Sequence, residues 1–175
     1  MTNQDSDTPY LPKIELSTSF LFSPHHFQIN NGHIHIPEGF VERVREWCYE
    51  YGAYDKNQKF HSTFHSEYDP HKVNWIWEVI EDIAPRSAFV SSWVQVYDRY
   101  GWHPSHHHHA LGTNRSGCLY LTDGKSTNFQ NPLHLDTFTS NPVNAGDVLY
   151  WDPAIYHFSS PAEEDKRTIL AFNLK

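Results

Sequence analysis

The chain has 175 residues, a formal net charge of −8, fourteen histidines, and ten Tyr, eleven Phe and six Trp. That length suffices for one domain with a core of its own, needing neither disulfides nor a structural metal. The acidic balance and the lack of any Lys- or Arg-rich run weigh against a nucleic-acid partner, whose backbone calls for clustered cations.

Residues 1–10, polar and acidic from Met1 to Asp7, read as a disordered leader and hold no apolar segment of the secretory kind. No apolar run approaches the length that crosses a bilayer, so a cytoplasmic protein without a membrane partner is expected. Residues 11–175 are expected to form a single domain, with helical support over 36–85 and a β core over 88–175. Pro37-Glu38-Gly39 opens a first helix that carries Phe40, Val41, Val44, Trp47, Cys48 and Tyr51 on one 3.6-period face, and Gly52 stops it. Asp69-Pro70 starts a second, with Val73, Ile76, Trp77, Ile80 and Ile83 as its buried stripe and Pro85 at its end. From residue 88 the pattern turns to strands: Ala88–Tyr97, Gly117–Leu121, Leu133–Phe138, Val148–Trp151, Tyr156–Ser159 and Thr168–Leu174, punctuated by Gly, Pro, Asn and Asp. Helices first and short, evenly spaced strands after them predict an α+β fold, a double-stranded β-helix (jelly roll) buttressed by the N-terminal helices. Cys48, on the helix face, and Cys118, within a strand, read as free buried thiols of a reducing compartment.

Four consecutive histidines, His106 to His109, precede one of these strands. Neutral imidazole suits Fe, Zn, Cu and Ni better than Mg or Ca. In a strand, residues i and i+2 share a face, so two candidate ligand pairs arise, His106 with His108 and His107 with His109. His157 lies about fifty residues further on in an aromatic run, and Arg167 follows it by ten. A pair, a distant third imidazole and then a cation are what a β-barrel needs to hold a metal ion beside an anionic cosubstrate. His134-x-Asp136 is a rival pair, though its 23-residue separation from His157 suits one hairpin better than the crossing a jelly roll requires. His33, His35, His61 and His65 read as surface or packing residues, the last two as a helical i, i+4 pair.

Ser92-Trp93-Val94-Gln95-Val96, Gly101, His103-Pro104, His106-x-His108 and Ser116-Gly117-Cys118-Leu119-Tyr120 together resemble the 2-oxoglutarate- and Fe(II)-dependent oxygenases. The likeness extends to Gly146-Asp147-Val148-Leu149-Tyr150-Trp151-Asp152-Pro153, His157, Arg167 and Ala171-Phe172-Asn173, and so covers residues 88–175. It implies Fe(II) held by His106, His108 and His157, with 2-oxoglutarate and O2 as cosubstrates. Arg167 would grip the far carboxylate of 2-oxoglutarate, for which a guanidinium fork is well shaped. Tyr97 and Tyr120 are candidate hydroxyl donors to the cosubstrate, and His134 a residue lining its pocket. Most of the superfamily has a carboxylate where His108 stands, and no acid lies near the run here. His108-x-Ala110 also matches the His-x-Ala of the halogenating branch.

The expected activity is hydroxylation of an amino-acid, peptidyl or small-molecule substrate, with Trp93, Trp102, Trp151 and Tyr156 as apolar walls and an oligomer possible. The alternatives are a three-histidine, cupin-like dioxygenase or isomerase that ignores 2-oxoglutarate, a non-catalytic metal-binding jelly roll, and a Zn hydrolase using Asp98 or Asp152. Because all three ligands must be neutral, metal affinity is expected to fall below pH ~6.5, the ordinary histidine value.

Overall fold

A computed structural model describes residues 17–22, 27–109, 112–130, 137–139 and 142–175. The leader and the His134-x-Asp136 pair lie outside them, as does Ala110. The described strands, in chain order, are β1 (Ser17–Phe22), β2 (Phe27–His33), β3 (Ala53–Asp55), β4 (Phe60–Ser62), β5 (Phe89–Tyr97), β6 (His103–His106), β7 (Arg115–Tyr120), β8 (Asn128–Gln130), β9 (Thr137–Thr139), β10 (Asp147–Trp151), β11 (Tyr156–Ser159) and β12 (Arg167–Leu174). They form an eight-stranded sheet in the order β1-β2-β10-β7-β12-β5-β4-β3 and a four-stranded sheet in the order β6-β11-β8-β9. Every ladder is antiparallel. The architecture is the double-stranded β-helix, in an α+β chain whose helices precede its core strands.

The helix α1 (Phe40–Tyr51) follows Gly39, which holds a left-handed φ of 75°, and ends where Gly52 N–H donates to the Cys48 carbonyl. Its buried residues Phe40, Val44, Trp47 and Cys48 repeat at helical spacing. The second expected helix is shorter than its apolar stripe. Pro70–Lys72 form a 3₁₀ turn, Val73 is extended, and α2 spans only Asn74–Ile80. Ile83 is nevertheless fully buried, carried in by the turn that follows. Proline at the first position and an extended residue three places later split one periodic stripe into two short pieces.

The large sheet is buried on both faces, and its period-2 alternation divides two cores. Val94 and Val96 of β5, Leu119 of β7, Val148 and Tyr150 of β10, and Leu170, Phe172 and Leu174 of β12 face the helices. Tyr97, Cys118, Tyr120, Leu149, Trp151 and Ile169, their neighbours in the same strands, face the interior between the sheets. A Cβ on Gly117 would come within 2.4 Å of the Phe172 ring, so only glycine lets that ring lie across β7. Both cysteines are free and buried.

Four further elements differ from the sequence expectation, one of them β8 at Asn128–Gln130, where no strand was expected. The β1–β2 hairpin extends the large sheet from a segment with no clear alternation. The β3–β4 hairpin occupies the stretch in which His61 and His65 read as a helical pair; His61 is in β4. Its turn is built locally: Asp55 Oδ1 accepts the N–H groups of Asn57 and Gln58, and Lys59 adopts φ 55°. The strand carrying the histidine run is β6, which stops at His106, so His108 lies beyond it. Among the described residues no helix is long and apolar enough to span a membrane.

Candidate metal centre

β6 and β11 are adjacent in the small sheet, and His106 is the Cα partner of His157. Past β6 the chain is tethered by the His108 N–H, which donates to the Pro153 carbonyl at 2.9 Å. That anchor turns His108 inward, while His107 and His109 stay exposed and His107 packs on Tyr156. One ring nitrogen from each of His106, His108 and His157 lies within 4.8 Å of the others. The His106 and His108 Nε2 atoms are 3.0 Å apart, the separation kept by two nitrogens that ligate one ion at about 2.1 Å and a right angle.

The ring orientations are held from behind. His106 Nδ1 bonds the Pro104 carbonyl at 2.8 Å and His157 Nδ1 the Ile155 carbonyl at 3.1 Å. A carbonyl only accepts, so both rings carry their proton on Nδ1 and leave Nε2 free to ligate. Trp93 stacks on His108 at 5.3 Å, and Trp151 meets the His157 ring edge-on at 4.8 Å. Burial drives all the imidazoles toward the neutral form, and each histidine neighbour adds to it. His108 is held down to about 3 and its neighbour His103 to about 4; His106 is lowered, and His157 lies well below the ordinary value. Protons therefore compete for these nitrogens only at pH values below the ordinary histidine range, a correction to the fall near 6.5 expected from sequence.

Arg167 begins β12, opposite Tyr97 of β5, and is 2% exposed. Its Nη2 donates to Ser159 Oγ at 3.2 Å, while Nε and Nη1 are buried with no partner. Ser159 lies two residues from His157 along β11 and so on the same face, one strand repeat or about 6.6 Å away. The Tyr97 ring covers the guanidinium at 5.1 Å, and Tyr97 rather than Arg167 lines the open cavity. No acid pairs with Arg167 among the described residues. A buried cation with two idle donors is costly unless an anion joins it.

The cavity measures about 790 Å³. The three histidines, Tyr97, Ser159 and Ile169 form part of its wall, and the β3–β4 turn from Asp55 to Gln58 forms its rim. Trp93 and Trp151 are wall residues; Trp102 and Tyr156, expected beside them, are 39% and 43% exposed and lie elsewhere. The Trp151 Nε1–H is buried without a partner, so this indole is not a purely apolar wall. Tyr120 does not line the cavity. Its hydroxyl is taken up by the 126–127 loop, accepting the Thr127 N–H at 2.9 Å and bonding Thr127 Oγ1 at 2.6 Å. Tyr97 donates its hydroxyl to Gln95 Oε1 at 2.9 Å. Sequence reasoning did not single out Ser159, although its i+2 spacing from His157 marks it. The hairpin rim and Phe64 carried no such signal.

Fold and cluster together define a double-stranded β-helix with three converging imidazoles on its inner wall. No family model matches the sequence, and no curated protein does. Solved structures do match in fold. SnoN, a non-heme alpha-ketoglutarate-dependent epimerase from nogalamycin biosynthesis, aligns with a TM-score of 0.60 at 12% identity, over 83% of this chain and 77% of that one. SnoN is also known in complex with Fe3+, alpha ketoglutarate and nogalamycin RO. A 2OG-Fe(II) oxygenase family oxidoreductase from Burkholderia pseudomallei aligns with a TM-score of 0.54 at 13% identity, over 79% and 78%. A prolyl hydroxylase from Trichoplax adhaerens, in complex with a hypoxia inducible factor peptide, aligns with a TM-score of 0.56 at 10% identity, over 83% of each chain. At such identities the likeness is one of fold.

Proposed function

We propose that this protein is an Fe(II)- and 2-oxoglutarate-dependent oxygenase, with residues 11–175 as one catalytic unit. The observation that carries the proposal is Arg167: a buried guanidinium with two idle donors, joined through Ser159 to the strand that bears His157. The donor set fits the metal. Three imidazoles suit Fe(II), and burial keeps each of them neutral. It also fits the cosubstrate. Three neutral ligands leave the ion its full double charge, with Arg167 adding a third positive charge to a barrel interior. A dianion with carboxylates at both ends offsets most of that charge and supplies acceptors for Nε and Nη1.

When bound, Fe(II) and 2-oxoglutarate supply the oxidising power, as O2 splits the cosubstrate to succinate and CO2 and a substrate C–H bond is oxidised. The chain's own residues do the rest. His106, His108 and His157 would hold the ion. Arg167 and Ser159 would hold the far carboxylate of the cosubstrate. Tyr97 lies between guanidinium and cavity, so its ring would have to move for an anion to reach Arg167. Trp93 and Trp151 line the chamber and exclude water.

The outer chamber supports a small-molecule substrate with a flat apolar face. Phe64 is 52% exposed and packs edge-on against Trp93 at 4.9 Å, so an aromatic path runs from the mouth to His108. Charges sit at the rim, on Asp55 and Lys56, where they would orient a polar end. SnoN, which this chain resembles in fold, is known in complex with nogalamycin RO, and a small-molecule ligand is carried over from it to this chamber. A three-histidine oxygenase indifferent to 2-oxoglutarate is favoured by the missing carboxylate ligand, but it leaves Arg167 without a purpose.

The test is succinate formation from 2-oxoglutarate by protein loaded with Fe(II), with no substrate added. Slow turnover is expected, absent in His157→Ala and in Arg167→Met. A rate no higher than that of free Fe(II) would sink the proposal. Unchanged oxygen consumption by Arg167→Met would favour the second reading instead.

A further inference from the structure

The inner face of β12 carries Arg167, Ile169, Ala171 and Asn173 at successive i+2 positions. Arg167 closes one end of that face; Asn173, at the other, is 7% exposed. Asn173 Oδ1 accepts from Ser116 Oγ at 2.8 Å, and its Nδ2 donates to Ser91 Oγ at 3.1 Å. The same Nδ2 lies 3.4 Å from His108 Nδ1. An amide nitrogen only donates, so this contact requires a lone pair on His108 Nδ1 and puts the imidazole proton on Nε2. There it is directed at His106 Nε2, 3.0 Å away, whose own proton is fixed on Nδ1 by the Pro104 carbonyl.

Ligation reverses that arrangement. For His108 Nε2 to offer its lone pair, the proton must sit on Nδ1, and an amide nitrogen opposite it is then the wrong partner. Turning the carboxamide about χ2 places Oδ1 where Nδ2 was, to accept from both His108 Nδ1–H and Ser91 Oγ–H. Nδ2 then donates to Ser116 Oγ. No hydrogen bond is lost, because a serine hydroxyl donates or accepts equally well. The carboxamide is nearly symmetric in shape, so the turn needs no extra room.

We propose that Asn173 is the positioning residue for His108, an amide whose setting is coupled to the His108 tautomer and which presents Oδ1 to His108 Nδ1–H when Nε2 ligates an ion. His106 and His157 have backbone carbonyls behind them, which cannot change role; His108, standing where related sites have a carboxylate, has a side chain that can. The inference rests on the metal-site reading above, and the test separates the two.

Co(II) is the probe, with affinity measured by chelator competition and with the exchangeable imidazole N–H resonances of the Co(II) protein followed by NMR. The wild type should bind Co(II) and show three such resonances, one per ligating ring. Asn173→Ala should weaken Co(II) binding by about 10–100-fold, the range typical of lost support behind a ligand, and broaden the His108 resonance through faster exchange with water. Asn173→Asp, which only accepts, should keep all three resonances and bind at least as tightly as wild type. If Asn173→Ala fails to fold, Asn173→Asp decides: weakened binding or a missing resonance overturns the proposal. So does an Asn173→Ala protein with affinity within twofold of wild type and three sharp resonances. A wild type that takes up no Co(II) overturns the metal-site reading, and the inference with it.

Discussion

The two faces of the large sheet are built to different rules. Toward the helices, Leu119, Val148, Leu170 and Phe172 meet Val44, Cys48, Ile76 and Ile80, all fully buried and apart from one thiol all hydrocarbon. Toward the small sheet, the alternating residues of the same strands include Arg167, Tyr97, Trp151 and Asn173, some with donors left idle. One face holds the strands in register. The other carries groups whose partners a ligand would bring. A fold that devotes one sheet face entirely to stability can keep unsatisfied polar groups on the reverse, and this is where chemistry is placed.

The contrast can be broken from either side. Leu170→Ala, on the helix face, should cost about 2–5 kcal/mol in chemical denaturation and leave the metal affinity of the folded protein unchanged. Arg167→Met, on the interior face, should do the reverse. With a buried, unpaired charge removed, metal-free protein should gain about 1–4 kcal/mol while 2-oxoglutarate binding, measured calorimetrically, disappears. A loss of stability there would mean that the guanidinium is structural. Gly117→Ala forces a methyl into the Phe172 ring and should cost about 1–3 kcal/mol by thermal melting.

The histidines add a pH signature. Their pKa values lie below the unfolded value of ~6.5 because burial favours the neutral ring, so the unfolded chain binds more protons at acid pH. Stability of the metal-free protein should be full above about pH 6.5 and decline as pH falls below it, toward the value of about 3 held by His108. Melting temperatures across that range check it, and His157→Ala should flatten the slope. The smallest effect belongs to the cavity mouth: Phe64→Ala, at an exposed ring, should move stability by no more than about 0.5 kcal/mol.

Much of the helix face was legible because its signals are local. Phe40, Val44, Trp47 and Cys48 repeat at 3.6, Gly52 marks a stop, and β5, β10, β11 and β12 begin and end near their turn residues. The β3–β4 hairpin was not legible, since three-residue strands are too short to show alternation, and a His-x₃-His spacing mimics a helix. The triad was visible as a choice between two pairs. That choice depends on a backbone bond from His108 to Pro153, which joins residues 45 positions apart and leaves no periodic trace. Arg167 was marked by resemblance, but its lack of an acid partner among the described residues is a fact of three dimensions. Tyr120 illustrates the converse. Its strand placement is as expected, yet the loop that occupies its hydroxyl could not be read from spacing.

The most direct measurement is the visible spectrum of Fe(II)-loaded protein titrated anaerobically with 2-oxoglutarate. A weak charge-transfer band that grows to saturation, is absent with Fe(II) alone, and is lost in both His157→Ala and Arg167→Met is the predicted result. Fe(II) held stoichiometrically by folded protein with no band at saturating 2-oxoglutarate would contradict the account.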